Sequence, residues 1–390
     1  MTQPLVIDDD DRYSRLRLIS WWDQDKLRAA QVLVVGAGAL GNEVLKNLAL
    51  LGIGRVFVID FDTIENSNLT RSVLFRARDR GRSKAEAAAE ALRDINPDTV
   101  VTPLHANVMT DLGLGLFRDV DVVIGCLDNR EARLWVNRQC WKVSTPWIDG
   151  GIQEISGVVK VFTPPNSPCY ECAMTENDYR LINLRYSCPL LSQDQIAAGR
   201  TPTAPTISSM IAGLQTQEAL KLLHGMDVSA GQALVFSGVT NQFYATKLPF
   251  REDCLSHDLW PEPIELPLSA LQATATDLFS AARVHFTSAG PLRLQLERDL
   301  VASLACHACG CTRRIMRPQA LVKQSEAACE CGQSATPLLV NSVDEGDENS
   351  SEKLSSLGIP PYDIVRVSCG EEEFVFLLAG DRAAVMNETK

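Results

Sequence analysis

The chain has 390 residues, of which 45% are hydrophobic. It can therefore bury a full core, and its length favours two or three domains. A formal net charge of −12 argues against a nucleic-acid groove or an anionic membrane surface as a partner, although it permits a local basic pocket. No N-terminal run resembles a targeting signal, and no apolar stretch approaches the roughly 20 residues of a membrane span. We expect a cytoplasmic protein whose partners are proteins or small molecules.

Residues 1–30 are predicted to form an N-terminal helical segment. A helical pattern opens at Arg12 and continues past Trp21 and Trp22 to Lys26. The plain interpretation is a packed helix, because tryptophans bury large apolar surfaces. The alternative is that Arg15 enters a nucleotide site, such as that of a second subunit.

Residues 31–260 alternate strand and helix patterns, which predicts an α/β, Rossmann-like, doubly wound and mostly parallel sheet. The first strand runs into a turn with Gly36, Gly38 and Gly41 and then into a helix, whose N-terminal amides would face an anion. The next apolar run ends on Asp60, about 20 residues further on, where a carboxylate would bind ribose hydroxyls. These residues predict a nucleotide pocket without identifying the nucleotide.

The residues after that carboxylate narrow the choice of nucleotide. Asn68, Arg71 and Lys84 follow in quick succession, and all three are donors suited to phosphate oxygens. A dinucleotide dehydrogenase would instead need an apolar slot for the nicotinamide. Ser83 and Glu86 form a Ser-x-x-Glu capping pattern, which starts a helix at Lys84 and aims its positive end at the same place. The pattern favours a triphosphate.

A further predicted strand, Val120–Gly125, ends in the sequence Cys-Leu-Asp128-Asn. A carboxylate just past the carboxyl end of a central strand lies where such sheets bind ligands. Asp128 could therefore hold a magnesium ion against the nucleotide phosphates. The alternative is a simple helix cap, a common role of Asp before a helix. Beyond it, Trp147–Phe162 predicts two short strands around Asp149-Gly-Gly151.

Twelve cysteines in a reducing compartment point to metal ligation or thiol chemistry rather than to disulfides. Cys169-x-x-Cys172 has the spacing of a zinc half-site, and Cys254-x-x-His257 supplies a second pair. Together they make a tetrahedral set of three thiolates and one imidazole. A redox dithiol is the competing interpretation, but the second ligand pair favours structural zinc.

A long connection at about residues 180–206, rich in proline and glycine, lies between the two halves of that set. Such loops on compact domains are commonly functional or disordered. It leads into a helix with an apolar stripe that includes Ile207, Ile211 and Leu214, with Gln215 placed off the stripe. Cys188 is a lone thiol in this loop. A buried, inert cysteine is the usual default, but loop signals rather than a core pattern flank Cys188.

The region from about Arg12 to His257 resembles the ubiquitin-activating-enzyme superfamily, which includes the adenylyltransferases of molybdopterin and thiamine biosynthesis. The resemblance rests on the glycine turn, Asp60-Phe-Asp62, Ser67-Asn68-Leu-Thr-Arg71, Lys84, Cys-Leu-Asp128-Asn and the paired zinc half-sites. It implies an ATP site in which Asp60 binds the ribose, Asp62 also belongs to the nucleotide-binding set, Asn68, Arg71 and Lys84 hold the phosphates, Asp128 holds magnesium, and Arg15 reaches across a homodimer interface.

Members of this superfamily adenylate the C-terminal glycine of a small ubiquitin-fold protein and release pyrophosphate. In the ubiquitin-activating branch a cysteine in the crossover connection then forms a thioester that passes to a conjugating enzyme, and Cys188 occupies that connection. Ser72 replaces the usual glutamine, and Pro189 replaces the usual threonine after the cysteine. The resemblance thus implies an activating enzyme for a ubiquitin-like protein. The alternatives are adenylation of a sulfur carrier, a nicotinamide oxidoreductase and an inactive partner subunit.

Residues 261–390 are predicted to form a separate C-terminal region. Two zinc knuckles predict a second structural zinc in a ribbon at about residues 300–335, with the ligands Cys306, Cys309, Cys329 and Cys331. Cys311 or His307 could substitute for one of them. Residues 341–353 are acidic and serine-rich and predict a solvated linker. The stretch Ile364–Leu378 predicts a few terminal strands.

Overall fold

The computed structural model of the protein describes residues 10–180 and 202–387. A large sheet of eight strands dominates its N-terminal two thirds. In chain order these strands are β1 (Gln31–Val35), β2 (Arg55–Ile59), β3 (Val100–Leu104), β4 (Val122–Gly125), β5 (Trp147–Gln153), β6 (Ser156–Phe162), β7 (Gln232–Ser237) and β8 (Gln242–Lys247).

The spatial order of the strands is β3-β2-β1-β4-β5-β6-β7-β8. The pairings from β3 to β5 are parallel, and those from β5 to β8 are antiparallel. Val35 of β1 lies opposite Ile59 of β2 and Gly125 of β4, so three parallel strands end at one edge of the sheet. This edge is where a doubly wound sheet binds ligands. The prediction of an α/β fold with a large, mainly parallel sheet is confirmed.

Helices cover both faces of this sheet. The α-helices whose two ends both lie in the described ranges are, in chain order, α1 (Gln24–Ala29), α2 (Ala39–Leu51), α3 (Lys84–Ile95), α4 (Leu114–Asp119), α5 (Arg130–Lys142), α6 (Pro205–His224), α7 (Ala275–Ala282) and α8 (Arg382–Val385). Because side chains alternate along a strand, Val34 of β1 packs in the core with α2, α3 and α6, whereas Val35 packs in the core with α4 and α5. None of the helices in the described ranges is long and apolar enough to cross a lipid bilayer.

Two local predictions differ from the structure. The N-terminal segment is not one helix: Leu16–Leu18 form a 3-10 turn, and α1 begins only at Gln24. The two strands predicted within Trp147–Phe162 form as β5 and β6, but they part at residues 154–155 and not around Asp149-Gly-Gly151, because β5 runs through both glycines. Gly150 serves packing instead of a turn, since a Cβ atom there would lie 2.4 Å from Oε1 of Gln215.

A second, six-stranded sheet forms the C-terminal region, in the order β11-β10-β13-β14-β9, with β12 pairing β10. Its strands are β9 (Ile264–Leu266), β10 (Arg293–Ala305), β11 (Thr312–Pro318), β12 (Thr336–Asp344), β13 (Ile364–Cys369) and β14 (Glu372–Leu378). The predicted terminal strands form the antiparallel pair β13 and β14. The predicted solvated linker is wrong at its start, since residues 341–344 belong to β12 and Glu345 forms an ion pair with Arg283.

The second sheet packs against the α4 and α5 face of the first. Tyr362 is fully buried in that core, and its hydroxyl donates to Asp119 Oδ2 at 2.6 Å. The carboxylate of Asp363 accepts the Leu114 N–H at 2.7 Å, at the start of α4. Gly115 has no room for a side chain, because a Cβ atom would lie 2.4 Å from the Tyr362 carbonyl oxygen. These buried contacts hold the two sheets in one arrangement.

Candidate functional site

The glycine turn closes on one side and stays open on the other. Gly36 has φ +99°, and a Cβ atom there would lie 2.5 Å from the Cys126 carbonyl oxygen, so the turn packs directly on the end of β4. A Cβ atom on Gly41 would lie 1.9 Å from the Gly36 oxygen. Gly38, at the N-terminus of α2, has no atom within 4 Å of its Cβ position. The open side, at the positive end of α2, is where an anion can approach.

Asp60 links the glycine turn to the end of β2. Its Oδ2 accepts the Ala37 N–H at 2.7 Å, and its Oδ1 accepts the Asp62 N–H at 2.8 Å. Burial raises the pKa of Asp60 above its ordinary value, although the charge of Lys84 and these two amides partly offset the rise. Each oxygen keeps lone pairs that can accept ribose hydroxyls.

Lys84 stands at the N-terminus of α3 beside the same edge. Its Nζ lies 2.7 Å from Asp62 Oδ2, and its side chain is 11% exposed, against 50% for Asp62. The Ser83 hydroxyl accepts the Glu86 N–H at 3.4 Å and caps the helix as predicted. The ammonium group has two further donors, so the ion pair orients it without consuming its capacity to bind an anion.

Asn68 and Arg71 lie on the connection between β2 and α3. Asn68 is in the 3-10 turn Asn66–Thr70, and its Oδ1 accepts the Glu65 N–H at 2.8 Å, which leaves the amide NH₂ as a donor. Arg71 follows this turn and is half-buried, with no hydrogen bond or ion pair of its side chain to any described residue. The Leu74 N–H donates to Asn42 of α2 at 2.9 Å and ties this connection to the glycine turn's helix.

Asp128 lies just beyond β4 and is exposed. It is not the cap of the next helix: Asn129 caps α5 by accepting the Ala132 N–H at 2.8 Å. Among the described residues, the side-chain amide of Asn129 donates to Asp128 Oδ1 at 3.4 Å. Its carboxylate is therefore available at the edge where the glycine turn and Asp60 meet, as a magnesium ligand would be.

Arg133, which the sequence interpretation missed, holds the Asp128 loop. One guanidinium nitrogen donates to the Leu127 carbonyl at 2.6 Å and to the Gly150 carbonyl at 2.9 Å. Its Nε lies 3.1 Å from Oδ1 of Asp149, whose side chain is 1% exposed. Burial raises the pKa of Asp149, and the charge of Arg133 opposes this rise. The buried pair fixes the backbone that carries Asp128.

The prediction that Gln215 of α6 lies off the apolar stripe is wrong, because its side chain is fully buried. Its Nε2 donates to the Gly125 carbonyl at 2.9 Å and to the Ile148 carbonyl at 3.2 Å, so the helix binds the ends of β4 and β5 directly. The sequence held a signal, since Gln215 comes four residues after the buried Ile211 and so lies on the same helix face.

The roles of two predicted catalytic residues, Arg15 and Cys188, stay predictions. Arg15 is exposed, and its side chain makes no hydrogen bond or ion pair with the described residues of this single chain. Cys188 lies outside the described residues. Cys126, which contacts the glycine turn, does not take its place as a nucleophile, because burial raises the pKa of its thiol far above the ordinary value.

The first cysteine cluster (Cys169, Cys172, Cys254 and His257) comes together as predicted. The four ligand atoms lie within 4.8 Å of one another. Cys169 Sγ is 3.7 Å from Cys172 Sγ and 3.5 Å from Cys254 Sγ, and Cys172 Sγ is 3.3 Å from His257 Nε2. The imidazole stacks on Trp141 at 4.0 Å between ring centroids. With zinc–sulfur bonds of about 2.3 Å, a tetrahedral site separates sulfurs by about 3.8 Å, so the arrangement fits zinc.

Glu171 joins the two halves of the first cysteine cluster. Glu171 stands between Cys169 and Cys172 in the sequence, and its side chain is fully buried. Its carboxylate accepts hydrogen bonds from the Arg138 guanidinium of α5 and from the Tyr179 hydroxyl, each at 2.9 Å. It also accepts the hydroxyl of Ser256, which lies between the other two ligands. Burial raises the pKa of Glu171, but these hydrogen bonds outweigh it, and the pKa is lowered from its ordinary value. Glu171 is thus ionised at neutral pH.

The two ends of the segment that contains Cys188 are anchored. On the N-terminal side, Asp178 Oδ1 forms an ion pair with Arg130 Nε at 3.0 Å, and Arg130 comes two residues after Asp128 in the chain. On the C-terminal side, the Glu154 N–H donates to the Pro202 carbonyl at 2.7 Å, at the turn between β5 and β6. Both anchors lie on elements that begin or end near the candidate nucleotide site.

The second cysteine cluster (Cys306, Cys309, Cys329 and Cys331) also comes together as predicted, with all four sulfurs within 4.8 Å of one another. Cys306 and Cys331 are 3.5 Å apart, as are Cys309 and Cys329. The spacing again fits the sulfur–sulfur distance of about 3.8 Å in a tetrahedral zinc site.

Comparisons with known proteins agree with this geometry. Molybdopterin-synthase adenylyltransferase of Salmonella typhimurium is 33% identical over 251 residues, which cover 62% of this chain and 94% of that protein. SUMO-activating enzyme subunit 2 of Dictyostelium discoideum is 39% identical over 164 residues, 42% of this chain and 25% of that protein. The crystal structure of E. coli MccB with ATP superposes with a TM-score of 0.55 at 25% identity, covering 66% of this chain and 76% of that one.

The match to a protein family spans the glycine turn, the Asp60 and Asp128 strands and three of the four ligands of the first cysteine cluster. The family is described as the ThiF family, and its model matches residues 11–256, which is more than half of the 390-residue chain. The chain belongs to the ThiF family.

Proposed function

We propose that this protein is an ATP-dependent adenylyltransferase that activates the C-terminal carboxylate of a ubiquitin-fold protein. Cys188 then takes the activated acyl group as a thioester and passes it to a conjugating enzyme. The observation that carries the proposal is the meeting of the glycine turn, Asp60, Lys84 and the Asp128 loop at one edge of the sheet. Membership of the ThiF family supports it.

The proposed reaction needs positioning and charge neutralisation rather than a general base. The carboxylate of the substrate protein is already ionised at neutral pH and attacks the α-phosphorus of ATP, so that the products are an acyl adenylate and pyrophosphate. Arg71 and Lys84 would neutralise the charge that develops on the phosphates, and Asp128 would hold the magnesium ion. Asp60 would fix the ribose, and Asn68 would donate to a phosphate oxygen.

The proposed second step is an exchange at the activated carbonyl. The thiolate of Cys188 attacks the acyl carbon of the adenylate and forms a carbon–sulfur bond. The bond between that carbon and the phosphate oxygen breaks, and AMP leaves with the oxygen. Zinc in the two cysteine clusters would be structural, since each cluster offers a full set of four ligands without an open position. A homodimer in which Arg15 serves the partner's site, and a cytoplasmic location, complete the proposal.

A second candidate ends after adenylation, with a sulfur-carrier protein as the substrate. The likeness to molybdopterin-synthase adenylyltransferase favours it, because this chain covers 94% of that relative and only 25% of the SUMO-activating subunit. Both candidates share the adenylation step, so they differ only in what happens at Cys188.

The test incubates the full chain with ATP, magnesium and a panel of purified ubiquitin-fold proteins, and follows pyrophosphate release and intact mass without reductant. We expect pyrophosphate release with the cognate protein and a reducible adduct that is absent in Cys188→Ala, while Cys188→Ala still releases pyrophosphate. Adenylation without an adduct favours the sulfur-carrier candidate. No pyrophosphate release with any of the panel contradicts adenylation.

Variants connect this activity to the site. We expect Arg71→Ala to lower kcat/KM for adenylation by about 100-fold or more. The matched control, Arg78→Ala, changes an exposed arginine in the same connection and should leave the rate within about twofold. If Arg15 acts across a dimer, mixing Arg15→Ala with Lys84→Ala should restore about a quarter of the wild-type sites. No restoration contradicts that role of Arg15.

A further inference from the structure

A fifth cysteine, Cys311, lies beside the four of the second cysteine cluster and contacts two of them, Cys309 and Cys329. Cys306, Cys309 and Cys311 lie on the hairpin of residues 306–311 between β10 and β11, which the Cys306 N–H closes by donating to the Cys311 carbonyl at 2.8 Å. Cys329 and Cys331 lie on a second tight turn, in which the Gly332 N–H donates to the Cys329 carbonyl at 2.9 Å. The two turns face each other through their sulfur atoms.

The sulfur of Cys311 is as close to Cys329 as that of Cys309, although the four sulfurs that all lie within 4.8 Å of one another include Cys309 and not Cys311. Cys311 Sγ lies 3.2 Å from Cys329 Sγ, and Cys309 Sγ lies 3.5 Å from the same atom. Cys309 and Cys311 are themselves 3.3 Å apart. A tetrahedral zinc ion takes four ligands, so one of five neighbouring thiols must remain unbound.

We propose that Cys309 and Cys311 are interchangeable ligands of a single zinc ion, with Cys306, Cys329 and Cys331 as its fixed ligands. The exchange keeps two ligands on each turn. Cys306 is 1% exposed and cannot easily withdraw, whereas Cys309 and Cys311 are both exposed. This inference rests on the zinc proposed for the second cysteine cluster and is independent of the chemistry at the nucleotide site.

Gly310 gives the two thiols the freedom to change places. It stands between them with φ +75°, and no atom lies within 4 Å of its Cβ position. Glycine alone adopts such backbone angles without strain and can leave them as easily. In the exchange Cys311 would give its proton to solvent on binding zinc, and Cys309 would take a proton from solvent on leaving it. Four bonds to zinc are kept, and no oxidant is needed.

The exchange has two consequences. A bound zinc ion would be able to change a ligand without a coordination site first standing open, because the incoming Cys311 thiol is already in contact with the ligand sulfurs of Cys309 and Cys329. One thiol, at either Cys309 or Cys311, is always unbound and exposed, and is therefore open to electrophiles. A site with exactly four cysteines would offer neither property.

The first test measures zinc per chain in the full-length protein after dialysis against a weak chelator. We expect Cys309→Ala and Cys311→Ala each to retain the wild-type zinc content. The double variant Cys309→Ala/Cys311→Ala should lose one zinc per chain, as should Cys329→Ala. The zinc that remains in the first cysteine cluster of each variant shows that the variant is folded. Loss of zinc from Cys309→Ala as complete as from Cys329→Ala overturns the inference, as does a wild-type protein without zinc at this cluster.

The second test labels the zinc-loaded protein with N-ethylmaleimide under native conditions and maps the label by peptide mass. We expect one label in this cluster, shared between Cys309 and Cys311, and none there in Cys309→Ala. Label on Cys311 alone, together with unchanged labelling of Cys311 in Cys309→Ala, contradicts exchange, because Cys311 would then be a bystander. The outcome does not depend on adenylation activity, so the failure of either proposal can be told from the failure of the other.

Discussion

Replacing Glu171 by glutamine should loosen the first cysteine cluster without removing any of its ligands. The side chain is fully buried, and its carboxylate joins Arg138, Tyr179 and Ser256. Glutamine keeps the shape of the side chain but loses the charge that strengthens the hydrogen bond from Arg138. It also replaces one acceptor oxygen by an NH₂ group, which would face one of the three donors. Hydrogen bonds to charged groups contribute about 1.5–3 kcal/mol, so we expect Glu171→Gln to lower the free energy of unfolding by about 2 kcal/mol.

Glu171→Ala should cost more, because it leaves the guanidinium of Arg138 without its partner. Breaking a buried ion pair costs about 3–5 kcal/mol. The side chain of Arg138 is 38% exposed, so water compensates part of the loss, and we expect about 3 kcal/mol. Both variants should also release zinc to a chelator faster than the wild type, since Glu171 and Ser256 connect the two ligand pairs.

The assay is urea unfolding followed by tryptophan fluorescence, with Glu176→Gln as the control. Glu176 is an exposed carboxylate five residues along the chain, and its replacement should change the free energy of unfolding by less than about 0.5 kcal/mol. If Glu171→Gln unfolds at the same urea concentration as Glu176→Gln, the argument that Glu171 holds the cluster together is wrong.

The pH dependence of the free energy of unfolding independently tests whether the ionised form of Glu171 is the stabilising one. Although burial raises the pKa of Glu171, its hydrogen bonds lower the pKa below the ordinary value. The stabilisation by the carboxylate is therefore complete above the ordinary carboxyl pKa and is lost as the pH falls through the lowered pKa of the folded form. The stability difference between wild type and Glu171→Gln should be constant between about pH 6 and pH 8 and shrink in acid. A difference that grows in acid would contradict this account.

Three further outcomes follow from the structure. Gly36→Ala should destabilise the protein by at least about 2 kcal/mol, because alanine is strained at φ +99° and its Cβ would lie 2.5 Å from the Cys126 oxygen. Gly38→Ala has free space and should change stability by less than about 0.5 kcal/mol. It should nevertheless weaken ATP binding by about tenfold, because its methyl group faces the open side of the turn. Equal effects of the two substitutions in urea unfolding and in ATP titration would contradict this. Tyr362→Phe should cost about 1 kcal/mol through the lost hydrogen bond to Asp119 and leave ATP affinity unchanged, whereas weaker ATP binding would connect the C-terminal sheet to the site.

The parts of the site that local sequence patterns encode were predictable. The glycine turn, Asp60 and the capping Ser83 depend on backbone geometry within a few residues: the structure has the turn before α2, Asp60 directly after β2 and Ser83 as the cap of α3, while nucleotide binding by the first two stays a prediction. Both cysteine clusters were also predictable, because ligand spacing within each turn is a local property. The positions of Arg15 and Cys188 in the working site stay predictions.

The features that depend on tertiary packing were not predictable. The sequence predicts two strands around Gly150, whereas this glycine lies within β5 and makes room for Gln215, which is 65 residues further along the chain. Arg133 and Gln215 are polar residues whose partners are backbone carbonyls on distant strands, and no spacing in the sequence marks such partners. The start of the acidic stretch at residues 341–353 forms an edge strand, because pairing with β10 outweighs its weak strand propensity.

The most direct test of the central claim is calorimetric titration of the full-length protein with ATP, with and without magnesium, on wild type and Lys84→Ala. We expect one ATP site per chain whose affinity depends on magnesium and falls by about tenfold or more in Lys84→Ala, with no comparable binding of NADH. A protein that binds NADH but not ATP, or whose ATP affinity is the same without magnesium and without the Lys84 ammonium, would show that this edge of the sheet does not hold a triphosphate.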